Sequence, residues 1–458
     1  MRFNKQKRVV NKQQQTEDFM DKQQMKLHQQ KLIFVITGGD YLRDSSGTSK
    51  VVKAHEDVFV HAGYEYMVMF PVSLSRGNGV KRKTITTGCY GLIVDGVFIG
   101  IFTPNQVLRY LSDQQNAGKE IAGVLIHHII RSRINVIRYI VERIENVRVV
   151  YYLHDFYTCC LNYNLLRNDE ISCVGMIDMC KGCSYEKLRK KHMAEIADLF
   201  RAFENRLVFV APSAYVKNQW VKYYPQYSEK VVVIAHQKFE GQYVGNRNSL
   251  SYASKIRIGY VGSQTKPKGW EIWKDILSKL PNAKEDYDFF YFGNGLEEIE
   301  GMNKVYVEIH RQGKDAMIQA LRDKQIDVVL LGSVCGETYS YTLYEAHAAN
   351  CFVLAMKSSG NIAYTVQHEN WGRVFNSSEE IISFLYDKKS VVELLNEWNQ
   401  EVAPGTMLCR DNDDILMLFE HICNGVIDTG HLHPNIASNV IRCLLSRIYY
   451  WARESGNK

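Results

Sequence analysis

The sequence contains no long uninterrupted apolar segment. Its 458 residues include no run of eighteen consecutive apolar residues, whereas a membrane-spanning helix needs about 20. The N-terminus is polar and lacks the apolar stretch of a secretory signal peptide. No fixed-period repeat is evident, which argues against solenoid and propeller architectures. We therefore expect a soluble protein located in the cytoplasm.

Composition places the chain among ordinary globular proteins. Hydrophobic residues make up 46% and aromatic residues 12% of the sequence, and these values exclude the disordered class. The length exceeds what one core usually supports, so two domains are expected. The formal net charge of +6 fits an anionic partner, such as a phosphorylated substrate or an acidic membrane face, and fits an ordinary solvated surface equally well.

Short apolar segments alternate with helical segments twice along the chain. The first series predicts a domain over 31–240, preceded by a Gln- and Lys-rich extension over 1–30. Asp95-Gly96, flanked by alternating apolar residues, predicts a β-hairpin within this domain. A polar segment rich in Gly, Ser and Asn, from 240 to 254, predicts a linker.

The second series predicts another domain over 255–430, and a helix-compatible tail covers 431–458. Strands that alternate with helices form parallel sheets, so the predicted fold class is α/β, with two doubly wound, Rossmann-like domains facing a cleft. In such sheets ligands bind beyond the carboxyl ends of the strands.

Two glutamates with seven residues between them, Glu337 and Glu345, follow the apolar segment DVVLLGS. Thr342 and Glu345 have T-x-x-E spacing, which predicts a capping box and explains Glu345 without any function. Glu337 is not explained in this way. The predicted helix start offers backbone amides and the positive end of a dipole, which suits an anion. A nearby carboxylate can accept two hydrogen bonds from a vicinal diol of a sugar.

The segment 327–355 resembles the signature of retaining GT-B glycosyltransferases of the family 4 type, also called glycosyl transferases group 1. That signature is E-x7-E before a small-residue helix and a strand. The residues that match it are Glu337, Glu345, Ala346 and Ala348. Asn350 stands where the family usually has Gly, and Asn is the next-best residue for a left-handed helix stop.

The resemblance implies roles for several of these residues. Glu337 would contact the donor sugar as a catalytic residue, and Glu345 would contact the ribose of the nucleotide. The backbone amides near Thr342 and Leu343 would face the diphosphate.

A second matching segment, GYVGSQTKPKGW, begins at Gly259. The family shows a strand, a glycine, an arginine and then Lys-Gly, with both cations binding the diphosphate. Gly262, Lys268 and Gly269 match, while Ser263 occupies the arginine position. The resemblance makes Lys268 a donor-binding residue and Lys266 the candidate replacement for the missing charge. The alternative is that these lysines are simply solvated loop residues.

The first domain matches the family more loosely. The segment GGDYLRDSSGTSKVVKAH resembles the family's glycine-rich first loop, with Gly38, Gly39 and Gly47 at the matching positions. Gly39 is therefore a candidate for donor binding. His154 ends the apolar segment VRVVYYLHD and matches a histidine that lies beside the donor sugar. The alternative is a histidine that is hydrogen-bonded in a turn. Ser213 resembles a helix start and receives no chemical role.

Cysteines cluster between residues 159 and 183. Cys180 and Cys183 form a CxxC pair, and Cys173 together with Cys159 or Cys160 completes four thiols. With no export signal, reduced thiols are expected, and four sulfurs that include a CxxC pair suit a tetrahedral zinc site. Our predicted ligand set is Cys160, Cys173, Cys180 and Cys183. The alternative is a loop of buried, inert cysteines. Some polysaccharide-forming members of the family carry a similar insertion.

The resemblance implies a hexosyltransferase-type glycosyltransferase that needs no cofactor for catalysis. It would move a sugar from a nucleotide-diphosphate sugar to a glycan or lipid-linked acceptor in polysaccharide biosynthesis, with retention of anomeric configuration. By the same resemblance, the domain over 31–240 would hold the acceptor, the domain over 255–430 would bind the nucleotide sugar, and a helix over 431–458 would pack back on the first domain. A basic face could dock the protein peripherally on the inner membrane leaflet. A non-catalytic glycan-binding partner and a nucleotide-sugar epimerase, both of the same fold, are the alternatives. Nucleic acid is not expected as a partner, because the interleaved aromatic and basic pattern is missing.

Overall fold

The computed structural model describes residues 30–44, 46–76, 83–174, 176–240, 249–280, 283–401, 408–420, 425–430, 432, 441 and 443–448. Nearly all of the predicted N-terminal extension and most of the predicted linker lie outside these residues. In the predicted C-terminal helix, residues 443–448 are described and are helical. No helix in the described part of the chain combines the length and the apolar character that crossing a membrane requires.

Strands and helices alternate along most of the described sequence. The strands are β1 Lys31–Ile36, β2 Tyr64–Arg76, β3 Lys83–Val94, β4 Val97–Phe102, β5 Glu120–Ile126, β6 Ile144–Glu145, β7 Val149–Tyr152, β8 Leu166–Arg167, β9 Ile171–Ser172, β10 Leu207–Ala211, β11 Val231–Val233, β12 Gln237–Glu240, β13 Ile256–Val261, β14 Tyr287–Gly293, β15 Met302–Tyr306, β16 Val328–Leu331, β17 Phe352–Met356, β18 Gly372–Phe375, β19 Leu408–Asp411 and β20 Val426–Ile427.

Most of the helices lie between these strands along the chain. They are α1 Gly47–His61, α2 Pro104–Asn116, α3 Ile134–Glu142, α4 Glu186–Ala202, α5 Ala214–Trp220, α6 Trp270–Lys279, α7 Ala283–Asp286, α8 Ile309–Gln312, α9 Ala316–Asp323, α10 Tyr341–Ala348, α11 Asn361–His368, α12 Ser378–Tyr386 and α13 Lys388–Glu401. Short 3-10 turns, among them Ile177–Cys180 and Lys266–Lys268, occur in the loops.

The chain divides into two compact units. The first unit comprises 1–152, 194–210 and 411–458, and the second comprises 153–193 and 211–410. In the first unit, seven strands lie in the order β10-β7-β5-β1-β2-β3-β4. Strands β2, β1, β5, β7 and β10 are parallel, whereas β3 and β4 are antiparallel additions. Nearly every residue of β1 is buried, as expected for a strand covered on both faces.

The hairpin predicted at Asp95-Gly96 is confirmed. The two residues connect β3 to β4, with Val94 paired to Val97. Both have positive φ, 47° at Asp95 and 75° at Gly96, which is the backbone that a two-residue type I′ turn requires. The Asp95 carboxylate also accepts a hydrogen bond of 2.9 Å from the Tyr66 amide, so the turn is tied to β2.

The second unit contains a six-stranded parallel sheet with the strand order β15-β14-β13-β16-β17-β18. Successive side chains of β13 lie on opposite faces of the sheet. Tyr260 packs with Trp270 and Trp273 on one face, and Val261 packs in a cluster with Leu343 on the other. Helices therefore cover both faces, and the prediction of an α/β chain with two parallel-sheet domains is confirmed.

Asp327 lies just before β16, at the amino edge of this sheet. Its carboxylate accepts a hydrogen bond of 2.8 Å from the Arg257 amide, but burial dominates and raises its pKa to about 6. A carboxyl group whose pKa is raised by folding contributes stability that is complete below its unfolded pKa and is lost as the pH rises through its folded pKa. The stability contribution of Asp327 therefore falls between about pH 4 and 6.

We expect Asp327→Asn to raise the free energy of unfolding by about 1–2 kcal/mol at pH 8. The amide oxygen can still accept from Arg257, and no buried charge remains. The gain should shrink at pH 4, which urea unfolding at both pH values would measure. Asp288→Asn is the matched control, because Asp288 sits at the same edge in an exposed pair with Lys255. An equal gain in stability for Asp288→Asn, or a gain for Asp327→Asn that does not depend on pH, would contradict the raised pKa assigned to Asp327.

Candidate functional site

The candidate site lies where the strand order of the second unit reverses. From β13 the chain adds β14 and β15 on one side and then crosses to add β16, β17 and β18 on the other. The loops that leave β13 and its neighbour β16 therefore lie at the carboxyl edge of the sheet, at the point of reversal. In open parallel sheets ligands bind at such a point. Lys268 lies in the loop after β13, and Glu337 lies in the loop after β16.

Lys268 and Glu337 form an ion pair at this position. Lys268 Nζ is 2.6 Å from Glu337 Oε1, and Ser333 Oγ is 3.0 Å from the same oxygen. The glutamate side chain is 13% exposed and the lysine 46% exposed. Burial disfavours the charge on Lys268, but the adjacent carboxylate outweighs it and raises the pKa of the ammonium group. Two groups separated by 69 residues thus present opposite charges together at the edge of the sheet.

Close backbone contact holds the loops after β13 and β16 together. Gly269 has a φ of 84°, and a Cβ added to it would lie 2.0 Å from the Gly332 carbonyl oxygen. Val334 donates a backbone hydrogen bond of 3.0 Å to the Pro267 carbonyl. Only glycine at 269 allows both the conformation and the approach. The position of Lys268 relative to Glu337 is therefore set by main-chain packing.

The backbone of Glu337 is also fixed from the side of β17. Its amide donates to the Ser359 carbonyl at 3.2 Å, and its carbonyl accepts from the Asn361 amide at 2.8 Å. Gly360, between those two residues, has a φ of 68°, and a Cβ there would lie 2.7 Å from the backbone of Glu337. The sequence analysis missed Ser359 and Gly360. The sequence feature that could have identified them is the glycine in the loop that follows an apolar strand.

Helix α10 begins differently from the prediction. Its N-cap is Ser340 rather than Thr342, and no side-chain hydrogen bond caps it. The capping box predicted for Thr342 and Glu345 is therefore wrong, because helical geometry starts two residues earlier and places Thr342 inside the first turn. The Thr342 hydroxyl lies 2.9 Å from the Ser340 hydroxyl. The Leu343 amide donates to the Ser340 carbonyl at 3.1 Å, and Glu345 is buried at 5% exposure.

The segment after β7 contacts the loop that carries Glu337. His154 is buried, and its carbonyl accepts a hydrogen bond from the Thr338 hydroxyl. Ser213 Oγ in turn donates to the Thr338 carbonyl at 3.0 Å. The His154 ring lies 5.3 Å from the ring of His236, which is 4.4 Å from that of Tyr339. His154 thus belongs to an aromatic cluster next to the Glu337 loop.

The remaining predicted donor-binding residues lie in the loops that follow β13 and β1. Gly262 follows β13 directly with a φ of 134°, and Lys266 is an exposed residue of the 3-10 turn that also contains Lys268. Gly39 belongs to the first unit, where it follows β1 at the point of order reversal between β1 and β5. A Cβ at Gly39 would lie 2.4 Å from Asp44 Oδ2.

The predicted metal ligands lie in the second unit. All four residues Cys160, Cys173, Cys180 and Cys183 line one small cavity. Cys159 is not among the described residues that line it and is fully buried. Within the described ranges, no three His, Cys, Asp or Glu side chains are already arranged to hold a metal ion.

No known family model matches this sequence, and no curated protein matches it. Among solved structures, WaaG, a glycosyltransferase involved in lipopolysaccharide biosynthesis, is 12% identical, with 81% of this chain and 93% of WaaG covered and a TM-score of 0.48. Sucrose-phosphate synthase from Thermosynechococcus elongatus is 13% identical over 81% and 95% of the two chains, with a TM-score of 0.48. Anabaena HepE in complex with UDP-glucose is 12% identical over 81% and 98%, with a TM-score of 0.44.

We expect Gly269→Ala to lower the free energy of unfolding by about 3–5 kcal/mol. The methyl group would meet the Gly332 carbonyl in addition to straining the backbone, which denaturant unfolding would measure. Gly313→Ala is the matched control. Gly313 has a φ of 100°, but a Cβ there meets nothing within 4 Å, so only the strain of about 1–2 kcal/mol applies. Equal losses in the two variants would show that the Gly269–Gly332 contact is not tight.

Proposed function

We propose that this protein is a retaining GT-B glycosyltransferase that moves a hexosyl group from a nucleotide-diphosphate sugar to a glycan or lipid-linked acceptor. The acceptor would belong to polysaccharide biosynthesis at the inner face of the cytoplasmic membrane. The reaction in this proposal requires no metal or other cofactor.

The observation that carries the proposal is the contact between Lys268 and Glu337. The two side chains meet where the strand order of the second unit reverses, and Glu337 precedes Ser340, the N-cap of α10, in the same loop. A cation and a helix start each favour a diphosphate, and a carboxylate favours hydroxyl groups. A nucleotide-diphosphate sugar presents both chemical groups a few bonds apart. The matching sequence segments around both residues support the same assignment.

The current partners of Lys268 are consistent with binding an anion. The Lys268 side chain is about half exposed, and a phosphate oxygen would approach its ammonium group while Glu337 Oε1 stays in place. Ser333 and the peptide groups of Ser359 and Asn361 hold the glutamate independently of the lysine. A donor would therefore share the cation with the glutamate, and closing the site against water would strengthen both interactions.

In the proposed reaction, the bond between the anomeric carbon and the diphosphate oxygen breaks, and the acceptor oxygen forms a bond to the same face of that carbon. The acceptor proton passes to the departing diphosphate, so no protein nucleophile is needed. Lys268 stabilises the charge that develops on the diphosphate. Glu337 orients the sugar through its hydroxyl groups, and His154 is assigned to the same sugar. Glu345 and the first turn of α10 are assigned to the nucleotide.

We expect Lys268→Ala to lower the rate of sugar transfer by about 100-fold or more, because an oriented charge at the leaving group is lost. Glu337→Gln, which keeps the shape of the side chain, should cause a loss of similar size. The assay follows transfer of labelled sugar from a panel of UDP-, ADP- and GDP-sugars, with UDP-glucose first, to lipid extracts and oligosaccharides. Nucleotide binding is measured separately as a rise in Tm with UDP, ADP or GDP.

Lys255→Ala is the matched control, because Lys255 pairs with Asp288 on the opposite edge of the same sheet. An exposed pair of that kind contributes little, so activity should be unchanged. A rise in Tm with nucleotide but no transfer of sugar would favour a non-catalytic binding partner. Conversion of the free nucleotide sugar to its epimer would favour an epimerase. The absence of both Tm shifts and transfer in folded protein would refute the proposal.

A further inference from the structure

A second group of reactive side chains lies outside the Lys268–Glu337 site. Cys160, Cys173, Cys180 and Cys183 line a cavity of about 20 Å³. That volume is close to what one water molecule or one ion occupies. The four residues come from three separate chain segments. Cys160 precedes β8, Cys173 follows β9, and the CxxC pair closes the 3-10 turn Ile177–Cys180.

The backbone around the cavity forms a hairpin facing a tight turn. Strands β8 and β9 are antiparallel, with Leu166 paired to Ser172, and Cys173 donates a backbone hydrogen bond of 2.8 Å to Leu165. The Cys183 amide donates to the Cys180 carbonyl at 3.1 Å. Such a turn brings the two sulfurs of a CxxC pair to the same side, as structural zinc sites require.

The tip of the segment has little apolar support. Leu165 and Leu166 are buried, but Ile171 and Met176 are 57% and 54% exposed, and β8 and β9 contain two residues each. A metal cross-link would therefore add order where few apolar side chains do. The four cysteines are free thiols, so no disulfide supplies that link.

We propose that Cys160, Cys173, Cys180 and Cys183 bind one zinc ion that cross-links the hairpin to the CxxC turn. In their protonated form the side chains have not converged on a single point, and the Cys173 thiol donates to the Leu165 carbonyl at 3.2 Å. Loss of the thiol proton on metal binding removes that donor and frees the sulfur to turn into the cavity. Cys159 is excluded from the ligand set because it lies outside the cavity lining.

The zinc would also support the loop that carries Glu337. Val174 directly follows Cys173, and a Cβ added to Gly336 would lie 2.7 Å from Val174 Cγ2. The hairpin end therefore packs against the residue before Glu337. The same added Cβ would lie 3.1 Å from the Tyr215 hydroxyl. Fixing Cys173 by a metal bond fixes this packing surface, which is a structural role that does not depend on the proposed reaction.

The first experiment uses the full chain, purified under reducing conditions without chelator. Elemental analysis should find about one zinc ion per chain. After removal of zinc, titration with Co²⁺ should produce the d–d absorption of a tetrahedral thiolate site, and Zn²⁺ should abolish it. The absence of zinc in the purified chain, together with no Co²⁺ absorption, would overturn the proposal. A disulfide among these cysteines in the reduced preparation, detected by mass spectrometry, would also overturn it.

The second experiment compares two adjacent cysteines. Cys160→Ser should reduce zinc from about one to below about 0.1 per chain, and Cys180→Ser and Cys183→Ser should do the same. Cys159→Ser should keep the metal, because its side chain is not a ligand. Full retention of zinc in Cys160→Ser, or loss in folded Cys159→Ser alone, would contradict the ligand assignment. Because metal content is measured without any substrate, this outcome is separate from the success or failure of the proposed function.

Discussion

The candidate site depends on how closely three stretches of backbone approach one another at the carboxyl edge of the second sheet. Gly269 touches Gly332, and Gly360 touches Glu337, with no room for a side chain at either glycine. The Lys268–Glu337 ion pair cannot itself provide this order, since an ion pair whose lysine is about half exposed contributes about 0–1 kcal/mol. The main chain therefore positions the charges, and the charges remain available for a ligand.

The same edge of the sheet combines groups with complementary preferences. A lysine favours an anion, and a glutamate supported by Ser333 favours hydroxyl groups. Their mutual attraction raises the pKa of the lysine, so the ammonium form is maintained across the physiological pH range. Because main-chain contacts and Ser333 hold the Glu337 side of the pair, a ligand that binds at this edge would meet groups that are already in place.

The cysteine segment and the Glu337 loop are parts of one packed unit. Val174 contacts Gly336, while Thr338 is held from the other side by the His154 carbonyl and by Ser213. The Glu337 loop is short and has few apolar residues, and neighbouring segments thus support it at three consecutive residues, Gly336, Glu337 and Thr338. This arrangement couples the order of the cysteine cluster to the geometry of the site, although the cluster contributes no group to it.

Much of the fold was determined by local sequence. Continuous apolar segments predicted β1, β13 and β16, and Asp95-Gly96 predicted its turn, because strand burial and positive φ are properties of neighbouring residues. Lys268 and Glu337 were identified from the resemblance of their segments to the signature of a known glycosyltransferase family. Their contact was not predictable from composition, since it depends on the order in which strands assemble.

Only the tertiary structure decided the remaining points. Ser340 rather than Thr342 begins α10, and Cys160 rather than Cys159 lines the cavity. Ser and Thr are both favoured helix N-caps, and two consecutive cysteines carry the same local signal, so local sequence gives no physical reason to prefer one member of each pair. Packing against distant segments makes that choice.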